Sequence, residues 1–227
     1  MNLVMFGAPG SGKGTQCQFL RESRSLPHYS TGDILRRNVA EGTSLGRAAR
    51  EIMSRGDLVP DDLMADLVED TITGAEAAGG FVLDGFPRTV VQAETLDAVL
   101  AATGRRLDAV ISLKMPTYAL VNRLSQRRVC PRCGRVYNLA LTPALTSCED
   151  DSETLAQRPD DNPEAIRNRL DVYLRQTAPL LIFYGRRGQV IKIDGSRSVS
   201  WVRDQILREL DALAGRERPG GRPGGGR

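Results

Sequence analysis

Short apolar runs alternate with longer segments of helical periodicity along most of the chain. Four apolar runs predict buried strands, at 1–6, 81–84, 109–113 and 190–194. Between them, eight segments predict helices, at 13–24, 32–41, 44–55, 61–73, 89–101, 116–128, 163–184 and 199–214. Strands that alternate with helices predict an α/β fold, in which helices cover both faces of a parallel sheet.

Two segments break this alternation. Residues 129–162 are rich in turn-forming residues, cysteine and aspartate, so we interpret them as an insertion. Residues 215–227 consist almost wholly of Gly, Pro and Arg, a composition that cannot pack a core, and they predict a disordered tail.

The distribution of charge narrows the possible functions of this 227-residue chain. Its formal net charge is +3, and the tail, with four arginines and one glutamate, accounts for all of that excess. Nucleic-acid-binding proteins usually have a basic body with aromatic residues on the binding face, whereas this body is neutral and 5% of the chain is aromatic. We therefore expect no nucleic-acid partner.

Other function classes are excluded on similarly simple grounds. A single histidine, His28, rules out chemistry that needs several imidazoles. No apolar run approaches the roughly 18 residues that a membrane span needs, and no secretory signal precedes the first strand. We therefore expect a cytoplasmic protein without a membrane partner. Nothing in the sequence demands more than a monomer.

A glycine-rich loop follows the first predicted strand and opens the first predicted helix. Residues 7–15 read Gly-Ala-Pro-Gly-Ser-Gly-Lys-Gly-Thr, the phosphate-loop pattern in its required context. Glycines turn backbone amides toward a polyphosphate at the positive end of the helix dipole, and Lys13 adds a charge for the β and γ phosphates. The hydroxyl group that usually follows the lysine is displaced to Thr15, so we expect magnesium to be held partly through water. The chain is predicted to bind a nucleoside triphosphate.

Carboxylates beside this loop predict where the magnesium ion lies. Asp84 ends the second predicted strand, and we interpret it as organising hydrated Mg²⁺, although a simple strand cap is the alternative. Asp33 suggests the same role more weakly, because aspartate is common in the first turn of a helix.

The insertion carries a predicted metal site. Cys130 and Cys133 form a C-x-x-C knuckle, and Cys148 with Asp151 forms a C-x-x-D pair, a set that can close a tetrahedron around Zn²⁺. Asp150 or Glu149 could replace Asp151, although the spacing favours Asp151. We prefer structural zinc to free thiols, and a disulfide is disfavoured because three cysteines cannot all pair. A metal would fold a segment that has little core of its own.

Several motifs together resemble the nucleoside monophosphate kinases, and the adenylate kinases in particular. They are the phosphate loop, Ser30-Thr31-Gly32-Asp33 with Arg36, residues 56–61, Asp84-Gly85-Phe86-Pro87-Arg88 with Gln92, the Arg127-Arg128 and Arg167/Arg169 pairs, and Asp160-Asp161 after Arg158. The resemblance covers residues 1 to about 214. It implies a doubly wound parallel sheet of five strands of the P-loop NTPase type, with a helical monophosphate-binding insert and a zinc-ribbon-like lid insert. The implied core is 1–29, 60–128 and 163–214, with the insert at 30–59 and the lid at 129–162.

The resemblance also implies a reaction, the transfer of a phosphoryl group from MgATP to AMP to give two ADP, and it assigns the site. The residues implied for ATP are Gly10, Ser11, Gly12, Lys13, Gly14, Thr15, Arg123, Arg127, Val136, Tyr137 and Arg197. Those implied for AMP are Thr31, Arg36, Asp57, Leu58, Val59, Gly85, Phe86, Pro87, Arg88, Gln92, Arg158 and Arg169. The catalytic set is Lys13, Arg88, Arg123, Arg158 and Arg169.

Two alternatives remain open from the residues alone. One is a kinase for GMP, UMP or CMP, because the choice of base depends on a few contacts. The other is a nucleic-acid-binding ATPase with a zinc ribbon, which the charge distribution disfavours. A GTPase is disfavoured because no Asn-Lys-x-Asp motif occurs.

Overall fold

A computed structural model describes residues 1–216 of the chain, and within that range strands and helices alternate except where helices follow one another at 31–73 and 163–185 and where two strands are adjacent at 127–138. The strands are β1 (Asn2–Gly7), β2 (His28–Ser30), β3 (Phe81–Asp84), β4 (Ala109–Lys114), β5 (Arg127–Val129), β6 (Val136–Asn138) and β7 (Val190–Asp194). The helices are α1 (Lys13–Arg24), α2 (Thr31–Glu41), α3 (Ser44–Arg55), α4 (Asp61–Thr73), α5 (Val90–Ala102), α6 (Thr117–Ser125), α7 (Pro163–Val172), α8 (Leu180–Gly185) and α9 (Val199–Arg216). Short 3₁₀ turns lie at Ala75–Ala77 and Pro159–Asp161.

Five strands form one parallel sheet in the order β2-β3-β1-β4-β7. The doubly wound five-stranded sheet that the resemblance implied is therefore confirmed. The apolar pattern predicted four of these strands and missed β2, because its sequence His-Tyr-Ser contains no apolar run. Strand β1 lies at the centre, between β3 and β4, where the direction of winding reverses. In such sheets, ligands bind beyond the carboxyl ends of the strands at this reversal.

Alternation along the strands divides the core between the two faces of the sheet. From β1, Val4 and Phe6 pack on one face with residues of α2 to α5 and α8, while Leu3 and Met5 pack on the other with α1 and α9. Strand β3 divides in the same way, with Leu83 on the first face. Helices therefore cover both faces, as the pattern predicted.

Two predicted helices are shorter than their sequence pattern suggested. The helix predicted at 116–128 ends at Ser125, because residues 127–129 pair with β6 as strand β5. The helix predicted at 163–184 is interrupted by a π-helical turn at Tyr173–Thr177, where the Ala178 amide donates to the Tyr173 carbonyl at 2.8 Å. Proline at 179 cannot donate the amide hydrogen bond that a continuous helix requires.

The two predicted inserts differ in structure. Residues 30–59 contain α2 and α3, which pack against each other, whereas residues 129–162 contain the end of β5, strand β6, a 3₁₀ turn and irregular chain. Their boundaries stay predictions. At the end of the chain, α9 reaches Arg216, so residues 215 and 216 of the predicted tail are helical, and the rest of that prediction, residues 217–227, lies outside the described residues. Within residues 1–216, no helix is both long and apolar enough to span a membrane.

Candidate functional site

The loop between β1 and α1 depends on glycines in a conformation that other residues rarely adopt. Gly10 and Gly12 have φ angles of 84° and 97°, in the left-handed region. A Cβ on Gly10 would also lie 3.0 Å from Cγ of Leu124, so the loop lies directly against α6. Among residues 1–216, no side chain caps the first turn of α1, and that turn contains no acidic residue. Its amides are therefore available to phosphate oxygens.

Lys13 lies over this loop. Its Nζ donates hydrogen bonds to the carbonyl oxygens of Gly7 and Ala8, at 2.9 and 3.2 Å. Burial lowers the pKa of Lys13, an effect that Asp84 opposes and Arg88 reinforces. The ammonium group is thus close to the amides that would hold a polyphosphate, where it can contact the same ligand.

The loop opens into a cleft of about 590 Å³ that extends to the β5–β6 hairpin. The predicted residues that line this cleft include the whole ATP set, namely Gly10, Ser11, Gly12, Lys13, Gly14, Thr15, Arg123, Arg127, Val136, Tyr137 and Arg197, together with Asp33, Asp84, Phe86, Pro87 and Arg158. A smaller cavity of about 60 Å³ adjoins the cleft and is lined by the rest of the AMP set, Thr31, Arg36, Asp57, Leu58, Val59, Gly85, Arg88, Gln92 and Arg169. The structure thus brings every predicted nucleotide-binding residue to one of two adjoining cavities. Their individual roles stay predictions.

The cleft is strongly cationic. The arginines that line it are Arg36, Arg88, Arg123, Arg127, Arg158, Arg169 and Arg197. Burial lowers the pKa of Arg88 to about 10, and the neighbouring Arg169 adds to that shift. Burial also lowers the pKa of Arg158 to about 10, with further contributions from Arg36 and Arg127. Guanidinium groups this close repel one another, so an anion bound among them would relieve the repulsion.

Not every arginine of the motifs reaches the cleft. Arg167 is exposed on α7, and its Nε donates to the Pro163 carbonyl of its own helix. Arg128 donates to the backbone carbonyls of Ser125 and Arg127. Both side chains therefore behave as ordinary side chains of a helix and a strand, and not as nucleotide-binding groups.

Two aspartates hold the cationic cluster in place, and the sequence analysis gave neither of them a role. The fully buried carboxylate of Asp161 accepts from Nε of Arg127 at 2.7 Å and from Arg169 at 3.0 Å. Asp160 also lies 3.0 Å from Arg169. Burial alone would raise the pKa of Asp160. The positive charges of Arg169 and Arg36 outweigh that effect, so the pKa of Asp160 lies below its usual value. The Asp-Asp pair directly after Arg158 is the signal that could have revealed these contacts.

Gln92 lies at the wall of the smaller cavity with its orientation fixed. Its Oε1 accepts from the Arg88 amide at 2.7 Å, and its Nε2 donates to Asp61 at 2.7 Å. One amide hydrogen and one oxygen lone pair remain for a ligand. Thr89 also donates to Asp61, at 3.0 Å, so that carboxylate anchors the start of α5.

Asn168 is a third residue to which the sequence analysis gave no role. Its Nδ2 donates to the Arg55 carbonyl and to Oδ1 of Asp57, each at 2.8 Å. Between these partners, Gly56 lies so close to α7 that a Cβ would be 2.7 Å from Cγ of Arg169. Asn168 therefore fastens the predicted AMP-binding segment 57–59 to α7. An isolated asparagine on a helix carries no local pattern by which this contact could have been predicted.

The two carboxylates predicted to organise magnesium both face the cleft. Burial alone would raise the pKa of Asp84, but the nearby His28 and Lys13 bring it below its usual value. Asp33 lies on α2, where Arg36 and Arg158 approach its Oδ1, the latter at 3.3 Å. The magnesium roles stay predictions. Oxygen donors of this kind are nevertheless the ligands that Mg²⁺ or its bound waters prefer.

The cysteines of the insertion lie together. The ligand atoms of Cys130, Cys133, Cys148 and Asp151 are all within 4.8 Å of one another. The two sulfurs of Cys133 and Cys148 are 3.6 Å apart, and Cys130 Sγ is 3.4 Å from each oxygen of Asp151. Tetrahedral zinc with bonds of about 2.3 Å to sulfur and about 2.0 Å to oxygen would give separations of about 3.8 and 3.5 Å. The residues present therefore fit a zinc ion.

The neighbouring acidic residues are engaged elsewhere, which bears on the fourth ligand. Asp150 and Glu149 both pair with Arg135, whose guanidinium is 3.5 Å from the glutamate. Asp151 is the carboxylate that faces the sulfurs. Tyr137 also approaches the cluster, with its hydroxyl 3.2 Å from Sγ of Cys148.

Comparison with known proteins identifies the family. A sequence model described as adenylate kinase matches residues 5–189. The chain belongs to the adenylate kinase family. Adenylate kinases from Kosmotoga olearia and Methanocella arvoryzae are each 46% identical to it, over 215 and 216 residues, and that of Staphylococcus aureus is 43% identical over 215 residues. Each alignment covers 94% of this chain and 100% of the relative.

Membership of the adenylate kinase family confirms the resemblance drawn from the motifs. The chain is thus an enzyme, a nucleoside monophosphate phosphotransferase, and the nucleic-acid-binding ATPase is not supported.

Proposed function

We propose that this enzyme catalyses the reversible transfer of the γ-phosphoryl group of ATP to AMP, which yields two ADP and balances the adenine nucleotide pool. The observation that carries the proposal is the convergence of a phosphate loop and seven arginines on a cleft with an adjoining cavity. Each of the two cavities would take one nucleotide. The phosphate groups would then meet among the arginines.

The chemistry of this reaction suits the groups that the site offers. The phosphate of AMP is already an anionic nucleophile at neutral pH, so its attack needs no general base. The site must instead neutralise repulsion between two polyanions and hold them in line. A lysine and several buried arginines, with no catalytic imidazole among them, match that requirement.

We assign the parts as follows. Lys13 and the loop amides would hold the β and γ phosphates of ATP, while Arg123 and Arg127 would approach them from the lid side. Arg88 would bind the phosphate of AMP, because its Nε is held by the Gly85 carbonyl at 2.7 Å beside the smaller cavity. Arg158 lines the cleft and Arg169 lines both cavities, and these two groups would neutralise the transferred phosphoryl group.

Two metals belong to this proposal. Mg²⁺ bound with ATP would neutralise charge on its phosphates, and Asp84 with Asp33 would hold its water ligands. Zn²⁺ would be structural, held by Cys130, Cys133, Cys148 and Asp151, and would make the lid one rigid unit. We also propose a cytoplasmic location, because thiolate ligands persist in a reducing compartment.

A single set of incubations tests the activity. The protein is mixed with MgATP and AMP, GMP, UMP or CMP in turn, and products are followed by ³¹P NMR. Rapid formation of ADP with AMP, and slow or no reaction with the other monophosphates, is the expected result. Preference for another acceptor would make the enzyme a sister kinase. Free phosphate released at one slow rate, whatever the acceptor, would contradict phosphoryl transfer.

The chain offers matched variants for the predicted catalytic lysine. It contains only three lysines, of which Lys13 lies over the loop and Lys192 is exposed on β7. We expect Lys13→Met to lower kcat by at least about 100-fold, as removal of one transition-state donor typically does. Lys192→Met should leave kcat unchanged. Equal loss of activity in both variants would show that Lys13 has no special role.

A further inference from the structure

A second cluster of metal-binding side chains lies beneath the phosphate loop, outside the lid. Its members are Cys17 on α1, His28 on β2 and Asp84 at the end of β3, and their ligand atoms all lie within 4.8 Å of one another. Cys17 is fully buried, and the other two side chains are at least four-fifths buried. The lid residues contribute nothing to this cluster.

The topology of the sheet explains why these three residues meet. His28 pairs with Val82 in adjacent parallel strands, so the two side chains point to the same face of the sheet. Two residues beyond Val82, Asp84 points to that face as well. Helix α1 packs on the same face and directs Cys17 toward it. The juxtaposition is therefore fixed by the core of the protein.

The histidine is the unusual member of the cluster. Its Nε2 is buried and has no hydrogen-bond partner among residues 1–216. The nearest carboxylate oxygen, Oδ2 of Asp84, is 3.8 Å away, which is too far for a hydrogen bond. Buried ring nitrogen atoms normally have a hydrogen-bond partner. A ring nitrogen without one that faces a thiol and a carboxylate therefore indicates a bound ion among the three groups.

The size of the gap suits a metal ion. Tetrahedral bonds of about 2.0 Å to nitrogen and oxygen would place those two atoms about 3.3 Å apart, so the observed pair needs to close by about half an ångström. Sulfur, nitrogen and oxygen donors together favour Zn²⁺ over Mg²⁺, which prefers oxygen alone. Three protein ligands also leave a fourth position for water.

The ion can reach the cluster through the cleft. Asp84 lines the cleft wall, and the exposed Gly14 presents no side chain above it; a Cβ there would lie 3.9 Å from Oδ2 of Asp84. A Cys17 thiol alone would be a small core residue, and its burial with Leu20 and Val82 explains its presence without any ligand. Packing in the core does not, however, explain why the neighbouring His28 Nε2 has no hydrogen-bond partner among residues 1–216.

We propose that Cys17, His28 and Asp84 form an inhibitory Zn²⁺ site in the floor of the catalytic cleft. Zinc bound there takes the carboxylate of Asp84 away from the hydrated magnesium of ATP. The Cys17 thiol gives up its proton when it binds the ion, and the negative charge of Asp84, which stabilises the buried Lys13 ammonium group, is then neutralised by the zinc. The inhibitory effect rests on the proposed function, whereas the binding of zinc does not.

Binding is measured first, on the full chain with its lid site already saturated with Zn²⁺. Equilibrium dialysis against buffered free Zn²⁺, followed by metal analysis, should give two zinc ions per chain in the wild type and one in Cys17→Ala. Co²⁺ added to protein that holds zinc in the lid site alone should produce a thiolate-to-cobalt absorption band. This band should be weaker or absent in Cys17→Ala, Cys17→Ser and His28→Gln. Leu26→Val, a change in the same core without loss of a ligand, should keep both signals.

Inhibition is measured second, with Mg²⁺ in large excess. Free Zn²⁺ should inhibit the wild type and Leu26→Val alike, and the inhibition constant should rise at least about tenfold in Cys17→Ala and His28→Gln. One zinc per chain in the wild type, with no cobalt band, would overturn the site itself. Two zinc ions with unaltered activity would overturn only its inhibitory role. Equal inhibition of all variants would place the effect elsewhere.

Discussion

The two predicted inserts that border the cleft differ in the interactions that can stabilise them. The lid buries three side chains, Cys130, Tyr137 and Cys148, with only two further apolar residues against them. The helical insert contributes Leu35, Ala49 and Val59 to the large core on one face of the sheet. We therefore expect the lid to depend on a metal to fold, whereas the helical insert has apolar packing to stabilise it.

Removal of zinc should produce the largest difference in stability between the lid and the helical insert. Structural zinc sites contribute on the order of 10 kcal/mol, far more than the lid can obtain from its small core. We expect Cys133→Ser, or prolonged chelation, to make residues 129–162 sensitive to protease and to lower kcat at least about 100-fold. The sheet should keep its circular dichroism. A metal-free protein with a protected lid would contradict this dependence.

The next largest effect should come from the buried carboxylate that joins the lid to α7. Asp161→Asn would remove the charged partner of Arg127 and leave Arg169 with Asp160 alone, and breaking a buried pair in this way costs about 3–5 kcal/mol. Denaturant unfolding measures the loss. Asp150→Asn is the control, because it breaks an exposed pair with Arg135 and should cost at most about 1 kcal/mol. Similar losses in the two variants would show that burial does not matter here.

Apolar packing should matter in the insert and not on the lid surface. Leu35 is 5% exposed within the main core, so Leu35→Ala should lower the free energy of unfolding by about 3 kcal/mol. Leu141 on the lid is 78% exposed, and Leu141→Ala should change it by less than about 0.5 kcal/mol. Thermal unfolding of both variants and of the wild type measures these changes in the free energy of unfolding. A costly Leu141→Ala would indicate a lid core that the structure does not contain.

A smaller effect tests how the insert is attached to α7. Asn168→Ala removes two hydrogen bonds that hold residues 55–57, so we expect KM for AMP to rise about fivefold, as the loss of about 1 kcal/mol would give. The KM for ATP should stay unchanged. The neighbouring exposed Arg167→Ala should alter neither constant. An equal rise in both KM values would show a general disturbance of the fold.

The smallest effect concerns acid stability. The pKa of Asp160 is below its usual value, so its ionised form stabilises the folded state above the unfolded pKa, near about 4, and that contribution is lost as the pH falls through the folded pKa. Denaturant midpoints between pH 6 and 3 should fall less steeply in Asp160→Asn than in the wild type. Parallel slopes would show that other carboxylates dominate.

Local patterns were sufficient for much of the architecture and for the ligand-bearing loops. Residues 7–15 and 84–88 form short motifs whose function can be predicted from the sequence. The apolar strands can be predicted as well, because parallel strands are buried on both faces and therefore have continuous apolar sequences. Strand β2 was missed because pairing with β3, and not its own composition, makes it a strand. The end of α6 was misplaced for the same reason, since the hairpin takes residues 127–129.

The parts of the site that escaped prediction depend on distant contacts. Asn168 meets Asp57 across 111 residues, and Asp161 meets Arg127 across 34. His28 and Asp84 become neighbours only through the strand order of the sheet. Asn168 and His28 have no local signature, so only the folded chain could reveal their contacts, whereas the Asp160-Asp161 pair is visible as a motif that does not name its partners.

The contact between Arg158 and Asp33 has a consequence for the order of events in turnover. In this conformation the two side chains join the lid to the helical insert, at 3.3 Å, and both are expected to face substrate. A nucleotide that bound to either group would compete with that pair, and its binding would free the other group for the second nucleotide. By thermodynamic linkage the two nucleotides then favour each other's binding equally. An enzyme built in this way would seldom hold one substrate in a closed cleft while the other is missing.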